Sequence, residues 1–106
     1  MDVRVSAGTR FYKVIPKVDF EANPVPAPYQ ARLLIEGPVD ENGVGGVVIS
    51  DTTSPRVTLA VGSVTYETLP GDLVTAGCYQ YALTSQTTSG DAPTVEARGL
   101  LFVDAI

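Results

Sequence analysis

The sequence contains no histidine, no tryptophan and a single cysteine among its 106 residues. Without histidine, catalysis by Ser-His or Cys-His pairs and metal sites built on imidazole are excluded. Cys78 has no second cysteine in the chain to pair with, so no intramolecular disulfide stabilises the fold. A chain of this length, of which 44% is hydrophobic, can nevertheless bury one core without covalent links.

Positive charge and long apolar runs are also scarce. Seven lysines and arginines stand against twelve aspartates and glutamates, which gives a net charge of −5. This balance disfavours nucleic acids and anionic membrane surfaces as partners, because both are bound through clustered positive charge. No segment approaches the roughly 20 apolar residues of a transmembrane helix, and the first six residues lack the apolar region of a secretory signal. Together with the single cysteine, this predicts synthesis and folding in a reducing cytosol.

Alternation of apolar and polar residues predicts an all-β chain. Eight prolines and ten glycines interrupt the sequence, and no window between them keeps the apolar spacing of a helix. Short strands at this spacing are typical of an antiparallel sandwich or barrel, here of about seven strands in a single domain, residues 1–106. The predicted strands are residues 3–5, 9–15, 29–36, 46–50, 56–61, 64–69, 78–85 and 94–104, and an extension of the second strand through 17–20, past Pro16, is left open.

Residues 1–28 have two interpretations. They are either the first strands of the sandwich, at its edge, or an extended N-terminal arm that packs on a neighbouring molecule. Pro24, Pro26 and Pro28 each remove a backbone donor and restrict the preceding residue, which excludes a central strand or a helix there. In the arm interpretation, the partner contacts are made by Val3, Val5, Phe11, Val25 and Tyr29.

Residues 69–83 contain the strongest local pattern. A Pro-Gly turn is followed by a short segment with Leu73 and then by Tyr79 and Tyr81, which open an alternating strand and share one face of it. We expect at least one of these rings to be buried, with its hydroxyl bonded to a backbone carbonyl in residues 69–75. Leu73, Tyr79 and Tyr81 are thus predicted to be structural residues.

This pattern resembles the entry to the sixth strand of immunoglobulin-like sandwiches, where a tyrosine near the strand start binds upstream backbone. From Arg56 onward the order of motifs is also similar to the small immunoglobulin-like domains of tailed-phage virion proteins, including Ala-Gly-x-Tyr-x-Tyr at residues 76–81 and a final strand at residues 98–103. The resemblance implies an immunoglobulin-like β-sandwich and a structural role in a virion.

Candidate catalytic and ligand-binding groups are few. Asp40 and Glu41 are adjacent in a predicted turn and need not converge across a substrate. Together with Asn42 and Asp51 they could supply oxygen ligands to calcium, but their spacing fits no known calcium loop. The glycine-rich residues 43–46 lack the lysine and the helix of a phosphate-binding loop. We therefore expect no enzyme, no cofactor and no metal.

Taken with the resemblance, these exclusions favour a structural accessory protein of a phage virion. A capsid decoration protein is the first hypothesis, adhering to other virion proteins such as the major capsid protein lattice, with a homo-oligomer left open. A tail or baseplate component, or a receptor- or carbohydrate-binding adhesin module, is the alternative. A carbohydrate-binding module is expected to show aromatic residues clustered on loops, whereas most tyrosines here fall in or beside predicted strands.

Overall fold

Strands form along most of this chain because alternate residues are apolar, which gives each strand one face to bury. The structure, a computed structural model, describes residues 2–42 and 44–105, so Gly43 of the glycine-rich residues 43–46 lies outside the described residues. The strands are β1 (Val3–Ser6), β2 (Tyr12–Pro16), β3 (Gln30–Glu36), β4 (Val47–Asp51), β5 (Val57–Ala60), β6 (Ser63–Glu67), β7 (Gly77–Gln86) and β8 (Thr94–Asp104). The described residues form no helix, and the all-β prediction is confirmed.

The eight strands form two sheets. One has five strands in the order β1-β8-β7-β3-β4, and the other has three in the order β2-β6-β5. Every neighbouring pair is antiparallel except β1 and β8, which are parallel. The result is a sandwich-like arrangement, with the inward faces of both sheets contributing to one core.

The core consists of the inward residues of both sheets and of two connecting segments. On the larger sheet, Leu33 lies opposite Leu83, and Tyr79 lies opposite Leu101. The smaller sheet contributes its own alternate positions. Residues 7–11 and 69–75, joined by a hydrogen bond from the Gly8 N–H to the Leu73 carbonyl at 2.9 Å, close one end. The buried hydrophobic residues are Ala7, Phe11, Ala31, Leu33, Ile35, Ile49, Val57, Val64, Tyr66, Leu73, Tyr79, Tyr81, Leu83, Leu101 and Val103.

The first two strands lie at sheet edges. β1 pairs with β8 through Val3 opposite Leu101 and Val5 opposite Val103, and β2 pairs with β6. β2 begins three residues later than predicted and ends at Pro16, so residues 17–20 are not a strand. Pro16 lacks a backbone N–H and is tolerated at an edge. Residues 3–6 and 12–16 thus lie in the sandwich as edge strands, whereas residues 17–28 belong to no named strand.

An ion pair holds the segment between β6 and β7 against β5. The Arg56 guanidinium donates to both carboxylate oxygens of Asp72, at 2.8 and 2.7 Å, and the Leu69 backbone N–H donates to the same carboxylate at 2.7 Å. Bidentate pairs of this kind restrict geometry as well as adding energy. Leu73 follows directly and is fully buried, so the polar contact and the apolar one position the same short segment.

Tyr79 makes the hydroxyl bond that the sequence predicts. Its Oη donates to the Thr75 carbonyl at 2.6 Å, while its ring is 2% exposed. Burial raises the pKa of the Tyr79 hydroxyl, which keeps it protonated as a donor. Tyr81, two residues later, packs against Phe11 at the start of the opposite sheet, with 5.2 Å between ring centroids. The two tyrosines therefore connect the segment at residues 69–75 to the centre of the core.

Replacing Tyr79 by Phe tests the hydroxyl bond. The change leaves the Thr75 carbonyl without its donor, so we expect the free energy of unfolding to fall by about 1–2 kcal/mol. Tyr12, which is 61% exposed, is the matched control, and Tyr12→Phe should stay within about 0.5 kcal/mol of the parent. Denaturant unfolding measures both, and equal midpoints for Tyr79→Phe and the parent would show that the bond adds nothing.

Candidate functional site

The loop between β2 and β3 begins with a tight hairpin at residues 17–25, here called the tip hairpin. Its two sides are joined by hydrogen bonds from the Asp19 N–H to the Asn23 carbonyl and from the Val25 N–H to the Lys17 carbonyl, at 2.9 and 3.0 Å. The Asp19 carboxylate accepts two further backbone N–H groups of the turn, at 2.9 and 3.0 Å. An aspartate that binds its own turn in this way favours one loop conformation.

The tip hairpin is attached to the neighbouring turn between β5 and β6. Gly62 donates its N–H to the Val25 carbonyl and accepts the Lys17 N–H, both at 2.9 Å. Gly62 has φ +86°, and a Cβ added there would lie 2.9 Å from Cβ of Pro24. A side chain at this position is therefore excluded by backbone conformation and by space. Two turns bonded to each other present one ordered end of the sandwich.

Phe20 stands at the end of this hairpin with 99% of its surface exposed, the largest value among the described hydrophobic side chains. Two carboxylates, Asp19 and Glu21, flank it in sequence. Val18 and Val61, on the hairpin and on the adjoining turn, are also more than half exposed. Single exposed apolar residues are common on protein surfaces, but an aromatic ring on a preorganised loop has the properties of an interface anchor, since little entropy is lost when it binds.

The hairpin carries backbone strain next to Phe20. Ala22 has φ 64°, in the left-handed region that disfavours residues with a Cβ. Strained positions persist where the surrounding structure determines the conformation, and they are frequent at binding sites. Here the hydrogen bonds of Asp19 hold the turn, so the strain follows from the geometry that exposes the ring.

Replacing Ala22 by Gly tests this strain. Glycine adopts the left-handed region without steric cost, so we expect the free energy of unfolding to rise by about 0.5–1 kcal/mol despite the greater freedom of the unfolded chain. Ala60→Gly, at an exposed strand position of β5, is the control and should lower it. A decrease for Ala22→Gly would show that the turn is not strained.

A buried polar cluster lies at the base of the hairpin. The Lys17 ammonium donates to the Glu96 carboxylate and, at 3.1 Å, to the Ser85 hydroxyl, which itself donates to Glu96. A serine beside a lysine is one arrangement used for nucleophilic catalysis, but the lysine must then be neutral to act as a base. Here the Lys17 amino group is in an ion pair with the Glu96 carboxylate. The cluster therefore acts as an ion pair that ties the hairpin to β7 and β8.

The charge state of Glu96 follows from this cluster. Burial raises the pKa of its carboxyl, but hydrogen bonds from Lys17 and Ser85 outweigh burial and lower the pKa below its ordinary value. The hydrogen bonds from Arg56 likewise lower the pKa of Asp72, with burial opposing them. Both carboxylates are therefore ionised more readily in the folded chain than in the unfolded one.

These lowered values predict an acid-sensitive fold. A group with a depressed folded pKa stabilises the protein above its unfolded pKa, and the contribution is lost as the pH falls through the folded value. We expect the free energy of unfolding to be constant near neutral pH and to fall below about pH 4. The Glu96→Gln variant should be less stable near neutrality, with a weaker dependence on acid. Glu41→Gln, in an exposed loop, should reproduce the parent curve, and a parent curve that rises on acidification would contradict the assignment.

The residues predicted to contact a partner lie in different environments. Phe11, predicted as a partner contact, is 2% exposed and packs on Tyr81, so in this structure its side chain closes the core and is not accessible to a partner. Val3 and Val5 point inward from β1 and pack against the core, because the pairing of β1 with β8 directs alternate residues there. Val25, the last residue of the tip hairpin, is half-buried, whereas Tyr29 is 56% exposed.

The carboxylates considered as calcium ligands are engaged in their own turns. Asp40 accepts the backbone N–H groups of Asn42 and Val44, each at 2.9 Å. Asp51 accepts the Thr53 N–H and an Arg56 guanidinium N–H. Within residues 2–42 and 44–105, no three cysteine, aspartate or glutamate side chains are placed to hold a metal ion.

A hollow of about 490 Å³ lies on the outer face of the five-stranded sheet. Its floor is formed at Ala82, whose side chain is a single methyl group, and by the adjoining backbone. Its walls are Glu36, Gln80, Arg98 and Leu100, which come from β3, β7 and β8. The hollow was not predicted, because it depends on the register that places these residues side by side.

Comparisons of the chain with protein-family models, with curated proteins and with solved structures find no match. The described residues also contain no helix of the length and apolarity needed to cross a membrane. The functional argument therefore depends on the geometry of the chain itself, above all on the tip hairpin.

Proposed function

We propose that this chain is an immunoglobulin-like sandwich that serves as a protein-protein adhesion module. In that fold, one sheet contains the strands called B, E and D, and the other contains G, F and C, to which variable-type domains add C′. When β2 to β8 are lettered B, C, C′, D, E, F and G in chain order, the sheet β2-β6-β5 has the order B-E-D. The strands β8-β7-β3-β4 of the other sheet then have the order G-F-C-C′. This agreement in strand order supports the immunoglobulin-like assignment.

The tyrosine bond gives independent support. Immunoglobulin-like domains place a tyrosine near the start of strand F, with its hydroxyl bonded a few residues upstream. Tyr79 has this position in β7 and binds Thr75. Two residues later, where antibody domains have a disulfide cysteine, Tyr81 contacts Phe11 of the other sheet. An aromatic contact thus replaces the covalent link between the sheets.

One strand differs from the constant-type arrangement. The first strand of that arrangement lies beside B, in the sheet that contains E and D, whereas β1 lies beside β8, parallel to it. The edge of β2 is consequently not covered by β1. Pro16 at this edge, and the charged side chain of Lys13, reduce the tendency of such an edge to add another strand. Adhesion is therefore better served by the tip hairpin than by strand addition.

Exposure of Phe20 on an ordered loop is the observation that carries the functional proposal. A ring that is 99% exposed loses almost all its contact with water when a partner covers it, which is the main source of binding energy for aromatic anchors. The buried polar cluster at Lys17 and Glu96 is an ion pair rather than a catalytic pair. The site thus favours binding over chemistry.

Within this class we propose a structural accessory protein of a tailed-phage virion, made in the host cytoplasm, and specifically a capsid decoration protein. The support is the resemblance of residues 56–106 to virion domains and the acidic charge, which disfavours nucleic acid as the partner. The partners in this proposal are other virion proteins, with the major capsid protein first. A tail component or an adhesin module remains the second candidate on the same resemblance.

Attachment to purified particles tests the proposal. We expect the protein in many copies on the shell of particles from the source strain, and Phe20→Ser to weaken its attachment roughly tenfold or more, because truncating a central aromatic anchor costs about 2 kcal/mol. Val74→Ser, at another exposed apolar position, is the control and should attach normally with an unchanged melting temperature. Location on the tail, or binding to purified glycans in place of particles, would contradict the decoration role.

A further inference from the structure

Exposed apolar side chains run along β2 and into the tip hairpin. Every second residue of this segment is exposed, whereas Lys13, Ile15 and Lys17 between them are half-buried. The pairing of β2 continues past its last residue, since the Lys17 N–H donates to the Gly62 carbonyl, next to β6. The alternation of a strand therefore extends into the hairpin. The exposed residues, here called the β2 stripe, are Tyr12, Val14, Pro16, Val18 and Phe20.

The β2 stripe is large for an apolar surface of one chain. An aromatic side chain has about 150–250 Å² of surface, so the exposed parts of Tyr12 and Phe20 amount to roughly 300 Å². With the three aliphatic residues between them, the stripe lies within the roughly 300–600 Å² of the largest patch on a typical monomer, which is often functional. At about 3.3 Å per residue it is roughly 25 Å long. A surface of this length fits a groove better than a small pocket.

Little charge accompanies the stripe on the outer face of its sheet. The outer residues of β6 and β5 beside it are Ser63, Thr65, Glu67, Thr58 and Ala60. Among these five, Glu67 alone is charged, and it is paired with Arg10 at 3.2 Å. A partner that covers this face therefore meets mainly apolar and hydroxyl groups.

Negative charge is concentrated at one end of the stripe. Asp19 and Glu21, both exposed, flank Phe20 in sequence. Lys17, the nearest cation along the chain, is in the ion pair with Glu96. Within residues 2–42 and 44–105, no cation is paired with Asp19 or Glu21. A partner with positive charge around the ring is complementary to this end.

A second copy of the chain offers little such charge. Five of the seven lysines and arginines are bound to a carboxylate or hydroxyl of their own chain: Arg4, Arg10, Lys17, Arg32 and Arg56. Arg98 also has a partner, which leaves Lys13. Because the whole protein has a net charge of −5, a second copy brings mainly negative charge to the acidic end. The complementary surface therefore belongs to a different protein.

We propose that the β2 stripe docks in an apolar groove of a different protein, and that lysine or arginine side chains surround the end of the groove that receives Phe20. This inference rests on the proposed adhesive role of the tip hairpin and states the chemistry of its partner. Apolar burial along the stripe supplies affinity, while the charge at one end fixes the direction of docking and accelerates encounter. In the decoration role, the groove belongs to the major capsid protein.

Charge reversal tests the basic end of the groove. Glu21→Lys and Glu41→Lys raise the net charge equally, but only the first lies beside Phe20, and Asp19 is kept because it holds the turn. The probe is particles purified from a strain that lacks this protein. We expect Glu21→Lys to associate with them roughly fivefold more slowly than Glu41→Lys at low salt, and the difference to shrink as salt is added. Equal rates for the two variants at low salt overturn the basic groove.

Tyr12→Thr tests whether the contact extends beyond the tip. Threonine suits a strand, and we expect attachment to weaken roughly tenfold, because an aromatic contact is lost at the far end of the stripe. Val95→Thr, at an exposed position of β8 on the other sheet, is the matched control and should attach like the parent. Melting temperatures of both variants identify any loss of folding. Normal attachment of Tyr12→Thr overturns the stripe as a docking surface.

A photocrosslink at residue 20 identifies the partner directly. Phe20→p-benzoylphenylalanine keeps an aromatic ring and, when irradiated on the particles, forms a bond to the protein that covers it. We expect the crosslinked peptide to come from a different virion protein and to carry lysine or arginine near the crosslinked residue. A crosslink to a second copy of this chain overturns the proposal.

The Phe20→Ser variant separates this inference from the proposed function. If it loses attachment, while Glu21→Lys and Glu41→Lys attach alike and Tyr12→Thr attaches normally, the tip is adhesive and the inference alone fails. If Phe20→Ser attaches normally, the proposed adhesive role of the tip fails as well. Weakened attachment of Phe20→Ser, Tyr12→Thr and Glu21→Lys, with normal attachment of both controls, supports both.

Discussion

Packing of two apolar sheet faces against each other is the interaction on which the rest of this structure depends. With one cysteine and no described metal-binding group, burial is the main source of stability, at about 25 cal/mol for each Å² of apolar surface. The inward residues of β3, β7 and β8 face those of β5 and β6, and Phe11 meets Tyr81 between the sheets. A loop or surface can have a defined position only because this core is defined.

Polar contacts then fix segments that the core alone leaves free. The Arg56 and Asp72 pair holds residues 69–75 over one end of the core, where Tyr79 adds its hydroxyl bond. At the other end, Lys17 and Glu96 form a second pair under the tip hairpin. Both pairs are largely buried, and breaking one leaves an uncompensated charge, which is costly. The ordered display of Phe20 is thus a consequence of the core and of the second ion pair.

Local sequence predicts the strands well and the contacts between distant residues poorly. Alternation and glycine or proline turns are local signals, so β3, β7 and β8 lie within two residues of their predicted ends. The spacing of Leu73 and Tyr79 likewise predicts a local bond. By contrast, Lys17 and Glu96 are 79 residues apart, and no local sequence pattern predicts their ion pair. The sequence alone assigns Phe11 to a partner contact, because the parallel pairing of β1 with β8, which brings residues 7–11 over the core, has no local signal.

The tip hairpin is a second feature that local sequence patterns predict poorly. Val18 and Phe20 alternate with acidic residues, which favours an extension of β2, and only the spacing of Asp19 and Asn23 around them signals a turn. Tyr66 was missed for a related reason: its hydroxyl binds the Thr84 carbonyl, on a strand of the other sheet. Such contacts depend on the sheet topology, and the topology depends on which strands pair with each other. Local sequence patterns do not predict that pairing.

The account claims that this sandwich acts by adhesion through the tip hairpin. The most direct measurement is a reconstruction of a purified particle by electron cryomicroscopy, at a resolution that shows the sandwich and its loops. The account predicts repeated copies on the shell, with Phe20 of each copy covered by protein. Copies whose residues 17–25 all project into solvent, or particles without the sandwich, would contradict it.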